Sequence, residues 1–440
     1  MTVTGDRPPL PEAPATLAER QPRSLGFTDQ LGLWANLGIS LLIPVTATFL
    51  VAPGQSFVAT VVAIVAGTAL GCALLALVAR AGAETGAPTM VLLRGLLGRK
   101  GSYVPTAFNL LQCVGWATYE VWIISFAAHA VWSGLPRWAY VLLAGGVATA
   151  MALRPLGSVR LLKRIAVVAV VASSAYFLIE TAGRPLGDLT AGSWTGFWIS
   201  MDLVIALPVS WIPLVADYSR FSRSGRAAAL GTGIGYALSS AAFFLLGVLA
   251  LRAYGTGPGN DVVGALLAVP AGAVALVILA ACEVDEAFAN IYSTATSAQN
   301  VVPRADRRVL ALGVGAVATG LALAIDGGAY EPFLFLIGAV FVPLAATLVV
   351  DFALSRGSYD TSADAPARWR MLVPWLAGFV AYQLTAPTIL AKWPGWEGFW
   401  RDAQDLLGVS PTNGFSASIV ALVIAGVLTP IARGRRTVGA

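Results

Sequence analysis

Long apolar runs alternate with short polar segments along the whole chain. Twelve runs are legible, at about 31–52, 57–79, 103–131, 138–153, 165–182, 195–216, 227–251, 271–300, 309–325, 332–354, 371–391 and 414–432. Their apolar residues form continuous blocks and do not recur on one helical face, which is the signature of a helix that is apolar all round. A bilayer core of about 30 Å calls for about 20 such residues per helix; most runs meet that length and the fourth is short. The period-two alternation of a membrane β-barrel is absent. The pattern predicts an all-α membrane protein with twelve transmembrane helices. Residues 1–26 are polar and Pro-rich and read as a disordered cytoplasmic tail, not a signal peptide, because no apolar core precedes the first run.

Composition narrows the class. Hydrophobic residues make up 57% and charged residues 12% of the 440, about half the usual charged share of roughly 25%. Soluble enzymes and disordered proteins are both excluded. The net charge of +5 comes from small basic clusters between apolar runs, so it does not point to nucleic acid. Those clusters set the orientation instead. With the N-terminus cytoplasmic, inside segments hold 23 of the 28 Lys and Arg, leaving only Arg137, Arg184, Arg252, Lys392 and Arg401 outside. That excess predicts a multi-pass protein of the cell inner (plasma) membrane with both termini cytoplasmic. The loops are too short for a globular domain. The longest cytoplasmic linker is Ser355–Arg370, and the outer segment Lys392–Asn413 carries Trp393, Trp396 and Trp400, which suits an interfacial position. Cys72, Cys113 and Cys282 each lie inside an apolar run, in odd number and without metal-ligand spacing, so neither disulfides nor zinc are expected. No cofactor is expected, and the chain is expected to act as a monomer.

Two runs are interrupted. The first reads WANLGISLLIPVTATFL, with Gly38 and Pro44 inside; the sixth reads DLVIALPVSWIPLVADYSRF, with Pro208 and Pro213 inside. Proline removes a backbone donor and clashes with the preceding turn. One reading is ordinary proline kinks. The other is an inverted-repeat transporter, because the interruptions lie five runs apart and such repeats place discontinuous helices around a midplane site. Carboxylates inside the runs add to this: Glu120 in the third, and Glu283, Asp285 and Glu286 in the eighth. A charge at helix centre costs about 2.5–3.5 kcal/mol on insertion scales and marks ion or substrate paths. Glu120 and Asp285 are read as functional. Glu283 and Glu286 are read as packing residues, because three carboxylates within four positions cannot all face one site. His129, the only histidine, is expected to bond locally. Asp217 and Arg220 are expected to hold the inner end of the sixth run, and Asp351 to anchor the end of the tenth.

Several segments carry a resemblance. GAETGAPTMVLLRGLLGRKGSYVP (Gly82–Pro105), Gly115-Trp116 with Glu120, SWIPLVADYSRFSR (Ser210–Arg223), FANIYS (Phe288–Ser293) and VPLAATLVVDFALSR (Val342–Arg356) stand in order along runs two to ten. Together they resemble motifs of the nucleobase–cation symporter-1 family, with wording nearest its cytosine and hydroxymethylpyrimidine branches. The resemblance implies a five-plus-five inverted repeat of the APC superfamily type, with broken helices one and six. The first repeat would occupy 27–182 and the second 183–354, followed by two further helices and a C-terminal tail over 355–440. It implies alternating access around a heterocycle. Carried over, Trp116 becomes the stacking aromatic, Glu120 the polar contact where the family usually has Gln, and Asn290 the reader of the ring edge, with Ser210, Trp211 and Ser40 beside the breaks. The cation site would fall on Ser40, Ile43, Ala281 and Asp285; Val284 offers no side-chain oxygen, and Asp285 stands where a hydroxyl is usual. The coupling ion implied is sodium or a proton.

The chemistry of these residues fits independently. An aromatic face with amides or carboxylates at the edge suits a flat heterocycle, and Trp116 and Glu120, four apart, share one helix face. The expected function is import of cytosine or a purine with a cation, with hydroxymethylpyrimidine as the alternative substrate. A channel would need a continuous polar stripe, and an intramembrane enzyme a nucleophile–base or metal cluster; neither is present in the sequence.

Overall fold

The computed structural model describes residues 16, 22–51, 54–155, 172–255, 262–388, 394–409 and 414–433. Most of the expected N-terminal tail, Arg160, Lys163, Arg164, the start of the fifth run and Trp393 lie outside these residues. Among them, the secondary structure is helical, with two isolated bridges. The first half comprises α1 (Phe27–Leu37), α2 (Leu42–Leu50), α3 (Phe57–Thr85), α4 (Thr89–Gly101), α5 (Tyr103–Val131), α6 (Arg137–Leu153) and α7 (172–182). Next come α8 (Phe197–Ser210), α9 (Val215–Ser219), α10 (Gly225–Tyr254), α11 (Val262–Leu267), α12 (Gly272–Cys282), α13 (Val284–Ala298), α14 (Arg307–Ala322) and α15 (Tyr330–Leu354). The chain closes with α16 (Leu372–Thr385), α17 (Pro394–Leu407) and α18 (Ala417–Arg433).

Among the described residues, five helices are long and apolar enough to cross a membrane, or six if the bent pair α1–α2 is one span. The pair is bent by 59° at residues 38–41. Helical bonding lapses again over 211–214, between α8 and α9. The eighth run, read as one continuous helix, divides at Glu283 into α12 and α13. Within the Trp-rich segment, Pro394–Leu407 forms the helix α17, with Trp400 packed on Phe379.

In hydrocarbon every freed backbone group needs a protein partner, and the interruptions supply them from neighbouring helices. The Leu41 N–H donates to Glu283 Oε2 at 2.6 Å and the Leu42 N–H to Ser40 Oγ at 3.1 Å. Leu42 O accepts from Thr46 Oγ1 at 2.8 Å and from the Tyr330 hydroxyl at 3.2 Å. Ser210 O, at the end of α8, accepts from Gln112 Nε2 at 2.9 Å. The interruptions are therefore built into the core. Close approach of α10 to α1 depends on Gly231 and Gly235: a Cβ there would lie 2.6 Å from Gln30 Cβ and 2.6 Å from Leu31 O. This is the small-residue packing of membrane helices.

The 355–370 linker is strapped onto α4. Arg99 N donates to Ala365 O at 3.0 Å and Arg368 N to Leu97 O at 2.9 Å. Arg368 grips the buried Asp351 carboxylate with two bonds of 2.9 Å, and Tyr359 donates to it at 2.8 Å. Asp351 thus ties the end of α15 to the linker. His129 bonds Leu135 O locally. Asp217 and Arg220 divide their roles: the Asp217 carboxylate accepts from Thr89 N at 3.0 Å, while Arg220 donates to the Tyr292 hydroxyl at 3.1 Å. At the N-terminal side, Leu25 N donates to Phe221 O at 3.0 Å and Leu25 O accepts from Arg223 N at 2.8 Å, so the chain is held from Leu25 onward.

Candidate functional site

One cavity lies where α1–α2, α5, α8 and α13 meet. Ser40, Ile43, Trp116, Glu120, Leu207, Ser210, Trp211, Tyr236, Glu286 and Asn290 line it. All six residues expected to contact substrate are in this lining. Its free volume is about 10 Å³, room for about one water. A six-membered ring enters only when the surrounding helices part.

Each wall has a local cause. Trp116 and Glu120 project from one face of α5. The Trp116 ring packs edge-on against Tyr330 at 5.9 Å and Phe333 at 5.3 Å, and its indole N–H has no partner. Glu120 is fully buried; its Oε1 accepts from Asn290 Nδ2 at 2.8 Å, and its Oε2 has no partner. Glu286, 4% exposed, leaves Oε1 without a partner. Other polar groups are already engaged. Ser210 Oγ donates to Leu207 O at 2.6 Å, and Trp211 Nε1 to the Tyr236 hydroxyl at 3.0 Å. Trp211 also meets Trp34 edge-on at 5.6 Å.

The residues expected to hold the cation are divided. Ser40 and Ile43 border the central cavity, whereas Ala281 and Asp285 border a separate apolar groove shared with α5 and α6. The carboxylate that meets Ser40 is Glu283, not Asp285: Ser40 Oγ donates to Glu283 Oε1 at 2.7 Å. Asp285 instead accepts from Asn36 Nδ2, in the last turn of α1, and its Oδ1 is unpartnered. The expected contact of Asp285 with Ser40 and Ile43 is therefore corrected by one helical turn. The assignment of Glu286 to packing is corrected too, since it lines the cavity. Helix periodicity supplies the reason. At about 100° per residue, Glu283, Glu286 and Asn290 fall on one face, while Asp285 points about 160° from Glu283. Taking Asn290 as the anchor and stepping back four and seven positions identifies both glutamates from the sequence.

Bent helices around a closed midplane cavity, in an all-helical apolar bundle, define a membrane transporter. The chain matches the family of permeases for cytosine/purines, uracil, thiamine and allantoin over residues 19–370, and it belongs to that family. It is 26% identical over 362 residues to YxlA of Bacillus subtilis (strain 168), named as a purine-cytosine permease, with 76% of this chain and 78% of that protein covered. It is 24% identical over 302 residues to the cytosine permease of Escherichia coli (strain K12), covering 67% of this chain and 70% of that protein. Among solved structures it is similar to Mhp1, a nucleobase-cation-symport-1 family transporter in a closed conformation with bromovinylhydantoin bound. That likeness has a TM-score of 0.74 at 17% identity and covers 96% of this chain and 94% of that one; it shows the fold. The family and these neighbours are transporters and not enzymes.

Proposed function

We propose that the protein imports a nucleobase-like heterocycle, cytosine or a purine, together with a cation by alternating access. The architecture proposed with it is twelve spans with cytoplasmic termini in the cell membrane, the first ten forming two inverted repeats around broken helices one and six. The observation that carries the reading is the closed cavity at the two interruptions. There an aromatic wall of Trp116 and Trp211 faces the ring-edge groups Glu120, Asn290 and Ser210, beside Ser40. The same free acceptors suit the amino group of a hydroxymethylpyrimidine, the alternative substrate.

Asp285 is proposed as the residue that binds the coupling ion, sodium or a proton. Glu283 lies at the N-terminal end of α2 and takes a backbone N–H there, which stabilises a carboxylate. Asp285, in the first turn of α13, meets Asn36 in the last turn of α1 and keeps Oδ1 without a partner, a buried oxygen that a cation would satisfy. Ala281, which borders the same groove, stands beside Asp285 in the proposed cation site, whereas Ser40 and Ile43 border the central cavity.

Uptake of labelled cytosine and adenine into proteoliposomes tests both parts. The expected result is concentrative uptake that collapses when the sodium and proton gradients are dissipated, with Asp285→Asn retaining substrate binding but losing its ion dependence. Linkage requires ion and substrate to raise each other's affinity by one factor. Gradient-independent flux would indicate a channel. Full ion dependence in the variant would move the coupling site elsewhere.

A further inference from the structure

The polar groups of the cavity are unbalanced in a way that the transport reading leaves unexplained. Two of its lining residues are carboxylates, Glu120 and Glu286, and none is Lys, Arg or His. Two further carboxylates, Glu283 and Asp285, are buried just behind it at 0% and 1% exposure. Most donors nearby are spent within the protein: Asn290 Nδ2 on Glu120 and on Glu286 O, Ser210 Oγ on Leu207 O, Trp211 Nε1 on Tyr236, and Ser40 Oγ on Glu283; the Tyr236 hydroxyl, which accepts from Trp211, keeps its own proton. Apart from the Trp116 indole N–H, the unpartnered polar atoms of the lining are Glu120 Oε2 and Glu286 Oε1, both acceptors. They project from different helices, α5 and α13, into one space walled by Trp116, Trp211 and Tyr236.

A buried carboxylate without a partner is costly unless a cation or proton meets it. Aromatic faces in a dry site favour cations further. A neutral ring that presents carbonyl oxygen would meet two acceptor oxygens and lose the hydrogen bonds that water gave it. A ring with an amidine-type edge, N–H beside NH₂ with the positive charge shared between them, would satisfy both oxygens and neutralise one of them.

Resting on the reading of this cavity as the substrate site, we infer that the preferred substrate binds as a cation: a flat heteroaromatic ring with a protonated, amidinium-like edge. Glu120 Oε2 and Glu286 Oε1 receive that edge from two sides, and Trp116 and Trp211 take the ring. A ring that presents only carbonyl oxygen to these two carboxylate oxygens is disfavoured at that edge.

Benzamidine and benzamide test the inference, being flat rings of nearly equal shape, one cationic and one neutral at pH 7. Binding of each to the purified wild type, and to Glu120→Gln and Glu286→Gln, is measured by calorimetry with and without sodium. Cytosine, adenine and uracil are run alongside, and size-exclusion profiles report the folded fraction. The expected result is at least tenfold tighter binding of benzamidine than benzamide in the wild type, with the preference lost when the two glutamines are combined. Equal binding of the two probes while cytosine or adenine binds overturns the cationic inference and leaves the transport reading standing. Equal binding only when sodium is present assigns the neutralising charge to the ion and also overturns it. Binding of no ring at all overturns both readings. Should the double variant fail to fold, the wild-type ratio and the single variants decide the question.

Discussion

Two groups of buried carboxylates in this protein stand in opposite settings. At the end of α15 Asp351 is held by two bonds from Arg368, one from Tyr359 and the nearby Arg433 at 3.8 Å. At mid-depth Glu120, Glu283, Asp285 and Glu286 are equally buried, and no ion pair with a basic residue is recorded for any of them among the described residues. The first setting is finished: charge, geometry and lone pairs are satisfied by the chain itself, and its effect is to fix the linker and α4 on the end of α15. The second is left open, with three unpartnered carboxylate oxygens on Glu120, Asp285 and Glu286. Desolvating such groups without compensation is unfavourable, so their presence marks where something from outside the chain completes the structure.

The contrast is sharpest in stability. Removing one partner of a buried ion pair typically costs about 3–5 kcal/mol. Arg368→Ala should lower the thermal unfolding midpoint in detergent by the largest amount of any single change described here, whereas Glu286→Gln should leave it unchanged or raise it. A destabilised Glu286→Gln with an unaffected Arg368→Ala would reverse the assignment of the two settings.

Next in size is the substrate wall. Base–aromatic stacking is worth about 1–3 kcal/mol, so Trp116→Ala should weaken ring binding about 5- to 150-fold while the protein remains folded. Calorimetric affinity unchanged in a monodisperse variant would remove Trp116 from the site. A smaller effect belongs to the strap of the linker on α4. Gly98 has φ +75 with ψ 170, a region open essentially to glycine, and a Cβ there would run into the Pro366 carbonyl; backbone strain of this kind costs about 1–3 kcal/mol. Gly98→Ala should accordingly speed proteolysis of the 355–370 linker without altering ring affinity. The smallest effect is expected at Ser40, whose hydroxyl joins Glu283 to the Leu42 N–H. A net hydrogen bond is worth about 1 kcal/mol, so Ser40→Ala should produce only a shift of that order in unfolding, and a larger one would mean that it holds the α1–α2 junction.

Much of the site was legible before any coordinates. Trp116 and Glu120 share a face because they are four apart, and the lapses at 38–41 and 211–214 fall in the runs where Gly38, Pro44, Pro208 and Pro213 stand out. The eighth run was misjudged at the side-chain level. Asp285 was aimed at Ser40, where Glu283 sits, and Glu286 was assigned to packing although it borders the cavity. The α12–α13 division at Glu283 had no proline or glycine to announce it.

Sequence alone determined that this chain lives in a bilayer, that two of its runs carry helix-breaking residues, and that carboxylates stand within apolar runs. Those properties are local or additive: apolar length, proline chemistry and the energy of a charge in hydrocarbon act wherever the residue is placed. Only the tertiary structure decided which carboxylate meets which helix end, which oxygens stay unpartnered, and that the lining residues close on about 10 Å³. Those outcomes depend on the rotation and depth of α5, α8 and α13 against the α1–α2 junction. That packing is set by contacts between residues far apart in the chain, such as Asn36 and Asp285, 249 positions apart, which no local pattern encodes.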